Sequence, residues 1–423
     1  MQPDLFLRER TAQVANQLVS KIAAGVASKP WWLKVLIVFG ATRLLSFSFF
    51  LLFAEIQGDN YWTSARPGYF DFLNIWDAEW YERIYDHGLG GEPGYSRVLP
   101  LDDAGNVREN AWAFMPGFPL LIRGLNIMTG VEWKYLAPLT STLLSLILAL
   151  VLFKIFSLKL SESTSLWAVL LFGLSPAAPV LQTGYAETLG LLLLALAIFQ
   201  LMHHRYLAAL PFLVLLSITR PGMVAFAMML GGMWLVRYYK FKRGQVDFPV
   251  LERVKLAGLT VVSGLLGFSW YLFAGWYTGR PDAYLATELA WRFGYTQKQQ
   301  LVPVEGWFIA TSYQFGPVLG PVLVVLAVGA AVQMMFSEPI KALGSELRLW
   351  IGAYLLYLLL VFFPQSSTLR ILLPAFPIFG ALAVLISNRS RGIKTAVVVA
   401  LVIGQLVWLD ICWLYASPDF TPP

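Results

Sequence analysis

The chain of 423 residues has one cysteine, Cys412, and three histidines, His87, His203 and His204. A lone cysteine has no partner in the chain, so an internal disulfide framework is excluded, and so is a cysteine-rich metal site. Three histidines, two of them adjacent, are too few for a histidine-built metal site, and no other pattern implies a metal or a cofactor. Charge is scarce: 13% of the residues are Asp, Glu, Lys or Arg, against about 25% in soluble domains. No Walker loop, G-x-S-x-G elbow, HExxH helix or dinucleotide fingerprint follows a credible strand. A nucleotide-binding domain is therefore absent.

What fills the chain instead is apolar: 57% hydrophobic residues, 15% aromatic, and a mean hydropathy of +0.63. Apolar runs of about 17 to 25 residues recur from residue 33 almost to the end, each able to cross roughly 30 Å of hydrocarbon. The expectation is an all-α polytopic membrane protein of about eleven transmembrane helices. The runs fall at 33–54, 135–157, 164–182, 186–202, 205–219, 222–239, 256–277, 310–334, 347–363, 371–387 and 395–415. Segment 112–128 is short, is interrupted by Pro116 and Pro119 and carries Arg123, so it reads as interfacial or re-entrant. No repeat of 20 to 50 residues and no inverted pair of broken helices appears, which counts against a transporter.

Loop charge sets the orientation. Segment 1–32 is basic and is expected on the cytoplasmic side, ahead of a single transmembrane domain at 33–415. The stretch 55–111 has eleven acids against four arginines, as suits an external loop. The first external loop is expected at 55–134 with short helices of its own, a second at 279–309, and an external tail at 416–423. The net charge of +6 is spread over short loops, which speaks for membrane orientation and against nucleic acid. Basic residues of the N-terminal segment also suit contact with anionic membrane lipid.

With that orientation the unusual polar clusters all land on one side. Asp77 and Glu79 lie in WDAEWYERIYDHG among Trp76, Trp80, Tyr81 and His87. About 200° apart on a helix, they need not act together, and Asp77 is the candidate reacting group. The same segment also reads as an amphipathic interfacial helix with solvated acids. Glu187 opens an otherwise uncharged helix after Tyr185 in GYAET; it faces a polar cavity or simply favours the helix dipole. Arg220 in ITRPG sits between closely joined apolar spans, where a charge costs about 2.5 to 3.5 kcal/mol. Arg370 follows Gln365, Ser366, Ser367 and Thr368, a donor set suited to phosphate or diphosphate, or else it snorkels to headgroups. The loop around Tyr284, Trp291, Arg292, Tyr295, Gln297 and Lys298 suits a sugar face, a headgroup or an ordinary interface.

The segments WDAEWYERIYDHGL, AFMPGFPLLI, SPAAPVLQTGYAETLGLLLLALAIF, ITRPGMV and LRILLPAFPIF, in this order, resemble the PIG-V family of mannosyltransferases. Eukaryotic members of that family add the second mannose of the GPI anchor. The resemblance implies a GT-C fold, a site on the non-cytoplasmic face and a polyprenyl-phosphate sugar donor, and it makes Asp77 the catalytic base. The family's third motif is closer to Arg-Ser-Asn-Gly, whereas Arg220 here is followed by Pro221 and Gly222. Short loops point to a bacterial plasma-membrane member, or to the ER membrane if the chain is eukaryotic. Mannose would then pass to a lipid-linked, lipoglycan or protein acceptor in one inverting displacement. Arg370 and Arg220 would hold the donor phosphate, and Glu79, Trp76, Tyr81, His87, Tyr185 and Glu187 the sugar or acceptor. A lipid or solute transporter, a silent subunit of a transferase complex and a transferase of another sugar are the rival readings.

Overall fold

A computed structural model describes residue 25 and residues 28–296, 298, 300–415 and 423, the side chains at 294 and 295 excepted. Most of the basic segment 1–32, Gln297 and positions 416–422 of the tail lie outside the described residues. The chain is all-α, and no strand occurs among the described residues, where Leu101 and Val107 form an isolated bridge.

Fifteen helices of eleven residues or more stand among the described residues. They are α1 Trp31–Ile56, α2 Asp77–His87, α3 Gly117–Thr129, α4 Trp133–Ser157, α5 Glu162–Gly173, α6 Glu187–Met202, α7 Tyr206–Ser217 and α8 Met223–Lys242. The rest are α9 Val250–Thr278, α10 Ala283–Thr296, α11 Glu305–Phe315, α12 Leu319–Met335, α13 Ser345–Val361, α14 Pro377–Ser387 and α15 Arg391–Trp408. Among the described residues four helices, α1, α4, α9 and α15 with its continuation to Trp413, are long and apolar enough to cross a membrane by length and composition. Leu44, Leu52, Leu143, Leu265 and Leu272 face outward from such helices, fully in line with lipid as the solvent.

Two cores hold the bundle. The larger runs between α1, α4, α5, α6, α8 and α13. The smaller is rich in aromatics and lies at one end, where Tyr81, Tyr95, Trp112, Phe118, Trp133 and Trp270 pack together. This end carries the candidate site. Basic residues mark the other: Lys34 pairs with Glu162 at 2.6 Å, and Lys159 lies against Gly344.

Three expected spans take a different form. Apolar segment 164–182 is α-helical only to Gly173 and resumes as a short 3-10 helix at Ala178–Gln182, because Pro176 and Pro179 interrupt the ladder. Its freed carbonyls find side-chain donors from other helices. Arg43 of α1 donates to Gly173 O at 2.7 Å and Ala178 O at 2.6 Å, and Gln405 of α15 donates to Gly173 O and Ser175 O at 3.1 and 3.2 Å. Irregular backbone is tolerated in a membrane protein under that condition. Segment 310–334 splits into α11 and α12 at Gly316, whose φ of 87° lies in the left-handed region; the Gly320 Cα then lies directly on the backbone of Thr311 and Ser312. Pro374 and Pro377 delay α14 to residue 377, against the expected 371. Segment 112–128 yields α3, 13 residues long and therefore about 20 Å, too short to cross.

One local repair positions the site. Pro138 inside α4 lacks the N–H that would bond Lys134 O. Asn74 Nδ2 donates to that carbonyl at 2.9 Å instead and fixes the segment three residues before Asp77. Asn74→Leu is therefore expected to cost about 1 to 3 kcal/mol through the unpaired carbonyl. In a Pro138→Ala background the restored N–H serves Lys134 O, and the same substitution should cost less. A double-mutant cycle on thermal unfolding checks this; equal costs in both backgrounds would contradict it.

Candidate active site

Four charged side chains from four places in the chain meet at the end of α2. Asp77 is the first residue of that helix. It follows Trp76, whose φ of 61° and ψ of −126° are costly for a non-glycine residue. The strained turn is held on both sides: Trp76 Nε1 donates to Trp413 O at 2.9 Å, and the Asp77 N–H donates to the Tyr185 hydroxyl at 3.0 Å. That hydroxyl in turn donates to Ile75 O at 3.3 Å.

Arg370 Nη1 donates to Asp77 Oδ2 at 2.5 Å and stands 3.3 Å from Glu187 Oε1. Arg220 Nη2 reaches the same Glu187 oxygen at 3.2 Å, and its Nη1 donates to the Tyr81 hydroxyl at 3.3 Å. The Arg370 guanidinium also lies over the Tyr185 ring, 5.2 Å from its centre. Two arginines and two carboxylates sum to no net charge. Each buried charge would cost several kcal/mol alone, so the four depend on one another.

The backbone explains why they meet. Gly117 lies against Ile218 and Thr219, where a side chain would clash, and its N–H donates to Ile218 O at 2.6 Å; this docks α3 beside Arg220. Arg370 sits in an irregular stretch whose carbonyls are taken by α13. Tyr354 donates to Ile371 O at 2.5 Å and Trp350 Nε1 to Pro374 O at 2.7 Å.

The network forms the polar end of a cavity of about 500 Å³. Its remaining walls are largely apolar: Leu191 and Leu194 of α6, Leu216 of α7, Phe226 of α8 and Phe268 of α9. Some hydrogen-bonding capacity at the polar end is unspent. Among the described residues, Arg370 Nε and both Glu187 oxygens have no hydrogen-bond partner, although Glu187 is 5% and Arg370 7% exposed. The ion-pair distances of Glu187 are short, but their angles are not those of hydrogen bonds. A phosphate or sugar hydroxyl entering here meets a ready donor and ready acceptors.

Of the residues singled out in the sequence, Asp77, Glu187, Arg220 and Arg370 line this cavity, with Tyr81 and Tyr185 buried behind them. Trp76 is buried against Trp62 and Tyr415. Glu79 points away, paired with Arg83 and accepting from Trp62 Nε1 at 2.7 Å. His87 ends α2 and is exposed, outside the cavity lining. Tyr284, Trp291 and Arg292 belong to helix α10 and line the cavity, whereas Lys298 pairs with Glu305. Glu288 lines it too and was not singled out. Its carboxyl titrates above the ordinary range because of burial, an effect that Arg292 and a hydrogen bond from Tyr284 oppose. The sequence did carry a signal: 284, 288 and 292 are spaced i, i+4, i+8 on one helix face.

No family model matches the chain, and no curated protein matches it. Among solved structures it is similar to an oligosaccharyltransferase of Archaeoglobus fulgidus, tethered by a disulfide bond to an acceptor peptide containing the NVT sequon. The match covers 93% of this chain and 56% of that one, with 12% identity and a TM-score of 0.41. This chain thus spans little more than half the length of the archaeal one, and a likeness this low has no bearing on activity.

Arg370→Met would leave Asp77 without its ion-pair partner while Glu187 keeps Arg220, at an expected cost of about 3 to 5 kcal/mol. Asp77→Asn keeps a hydrogen-bond acceptor facing Arg370 and leaves Arg370 its contact with Glu187, so it should cost clearly less. Thermal unfolding of the two variants side by side tests that order, and the reverse order would contradict the network.

Proposed function

We propose that the protein is a membrane glycosyltransferase of the GT-C type. It transfers mannose from a polyprenyl-phosphate donor to a lipid-linked, lipoglycan or protein acceptor on the non-cytoplasmic face. The observation that carries this reading is the cavity itself: an apolar slot between membrane helices that ends on buried arginines and carboxylates with unspent hydrogen-bonding capacity. An isoprenoid chain matches the apolar part, and a phosphate with its sugar matches the polar end. Resemblance of five segments to the PIG-V family supplies mannose as the sugar, and the loop charges supply the sidedness.

Asp77 is the base in this mechanism. Its Oδ2 is held by Arg370, which leaves Oδ1 for the acceptor hydroxyl. The acceptor oxygen forms a bond to the anomeric carbon as the bond from that carbon to the phosphate oxygen breaks. The electron pair leaves with the phosphate, and the hydroxyl proton passes to Asp77. One displacement inverts the anomeric centre. Arg370 couples the two ends of the step: charge developing on the phosphate draws the guanidinium, and the carboxylate it releases becomes a stronger base. Arg220 stabilises the same phosphate, and Glu187 keeps both arginines in place.

General-base catalysis is worth about 10² to 10⁴-fold, so Asp77→Asn is expected to lower transfer by at least that lower bound without loss of the folded protein. Purified chain in lipid nanodiscs, labelled polyprenyl-phosphate mannose and a membrane-lipid extract make the assay. Full activity in the variant would remove Asp77 as the base; a wild type that transfers no sugar would remove the transferase reading.

A further inference from the structure

Helix α10 adds polar residues to the cavity that the charged network does not use. At about 100° per residue, Tyr284, Glu288 and Arg292 fall on one helix face, with Glu288 in the middle of it. That face lines the cavity. The other side of the helix is committed elsewhere. Ala283 and Thr287 are buried, Thr287 accepts from Asn110 Nδ2 at 3.0 Å, and Ala290 and Phe293 border a separate pocket outside the bundle. The tie at Thr287 sets the rotation of α10, and that rotation aims Glu288 inward.

A contact between α2 and α10 brings Glu288 to the reacting end. Trp80, three residues after Asp77, meets Trp291, three residues after Glu288, with ring centres 5.9 Å apart. Residues three apart are neighbours on a helix surface. The two carboxylates therefore flank this contact, one on each helix, and both line the same cavity. Trp291 and Phe114 line it as well, edge to face at 5.8 Å.

Glu288 differs from Asp77 and Glu187 in its charge balance. Those two pair with arginines, whereas among the described residues Glu288 makes no ion pair. Arg292, one turn along, donates to Val361 O at 3.0 Å, a carbonyl that the end of α13 leaves without a helical partner. Glu288 thus presents a half-buried carboxylate to the cavity. Such a group accepts hydroxyl protons readily and repels a second acid.

In the proposed reaction the anomeric carbon joins the phosphate on Arg220 and Arg370 to the acceptor hydroxyl at Asp77. The ring attached to that carbon takes the remaining space, along the α10 face. A site built to accept a hydroxyl discriminates because the wrong ligand leaves its polar group unpaired. Resting on the transferase reading, we propose that Glu288 is the specificity-determining residue for the transferred sugar. Its carboxylate accepts hydrogen bonds from free ring hydroxyls while the apolar ring face lies on Trp291, and the site selects an uncharged hexose over a uronic acid.

The test is the affinity of the full chain in nanodiscs for undecaprenyl phosphate and for its mannosyl and mannuronyl phosphodiesters, in the wild type and in Glu288→Gln. The wild type is expected to bind the mannosyl lipid at least tenfold more tightly than the mannuronyl lipid. In the variant the mannosyl lipid should weaken at least threefold and the preference fall below threefold. Undecaprenyl phosphate should bind the variant no more weakly than the wild type, since the substitution removes a negative charge. An undiminished preference in the variant, or none in the wild type, would overturn the proposal. So would a parallel loss of undecaprenyl phosphate binding, the mark of a merely structural residue. A wild type that does not bind undecaprenyl phosphate at all would remove the transferase reading and this proposal with it, which tells the two failures apart.

Discussion

Everything at the functional end depends on keeping two guanidiniums and two carboxylates charged where water is scarce. Asp77, Glu187, Arg220 and Arg370 offset one another's cost of burial, so that removing a cation is expected to be more destabilising than removing Asp77. The arrangement is unequal in a way that matters. Arg370 is shared between both carboxylates, and Glu187 between both arginines, while among the described residues Asp77 forms its ion pair with Arg370 alone. A ligand that competes for Arg370 therefore acts on Asp77 first. Under the proposed transferase reading, this same ion pair would be the means by which a leaving phosphate sharpens the base.

Placing those charges demands bent backbone, and bent backbone in a membrane protein needs donors from outside the helix. Three repairs supply them: Arg43 and Gln405 at the break after Gly173, Asn74 opposite Pro138, and Tyr354 with Trp350 beneath Arg370. Each lies on a regular helix or is clamped to one, so a rigid frame holds an irregular site. Trp76, strained and pinned by Trp413 and Tyr185, is the final element in that chain. Buried polar residues far from the cavity thus serve its geometry.

Much of this was legible in the sequence. Composition and the lengths of the apolar runs specify an all-α membrane protein, and the segregation of polar motifs to one side singles out Asp77, Glu187, Arg220 and Arg370. Their pairing was not legible, since Arg370 and Asp77 are 293 residues apart and only tertiary packing joins them. The break in 164–182 was written in Pro176 and Pro179, but the unbroken apolarity of the segment concealed it. Glu288 was passed over because a mixed aromatic and charged loop hid a helical period of four. Glu79 lies off the cavity because residues two apart on a helix face different ways, and His87 because it falls at the far end of that same helix.

The most direct measurement is the thermal stability of the purified protein with and without undecaprenyl phosphate, in the wild type and in a variant carrying Asp77→Asn and Arg370→Gln, a pair of changes that leaves the site without net charge. A ligand that binds the folded state at about 100 times its Kd stabilises by about 2.7 kcal/mol, so the wild type should unfold at a clearly higher temperature with the lipid and the double variant should not respond. An equal response from both proteins, or none from the wild type, would contradict the assignment of the charged network as the site of the lipid phosphate.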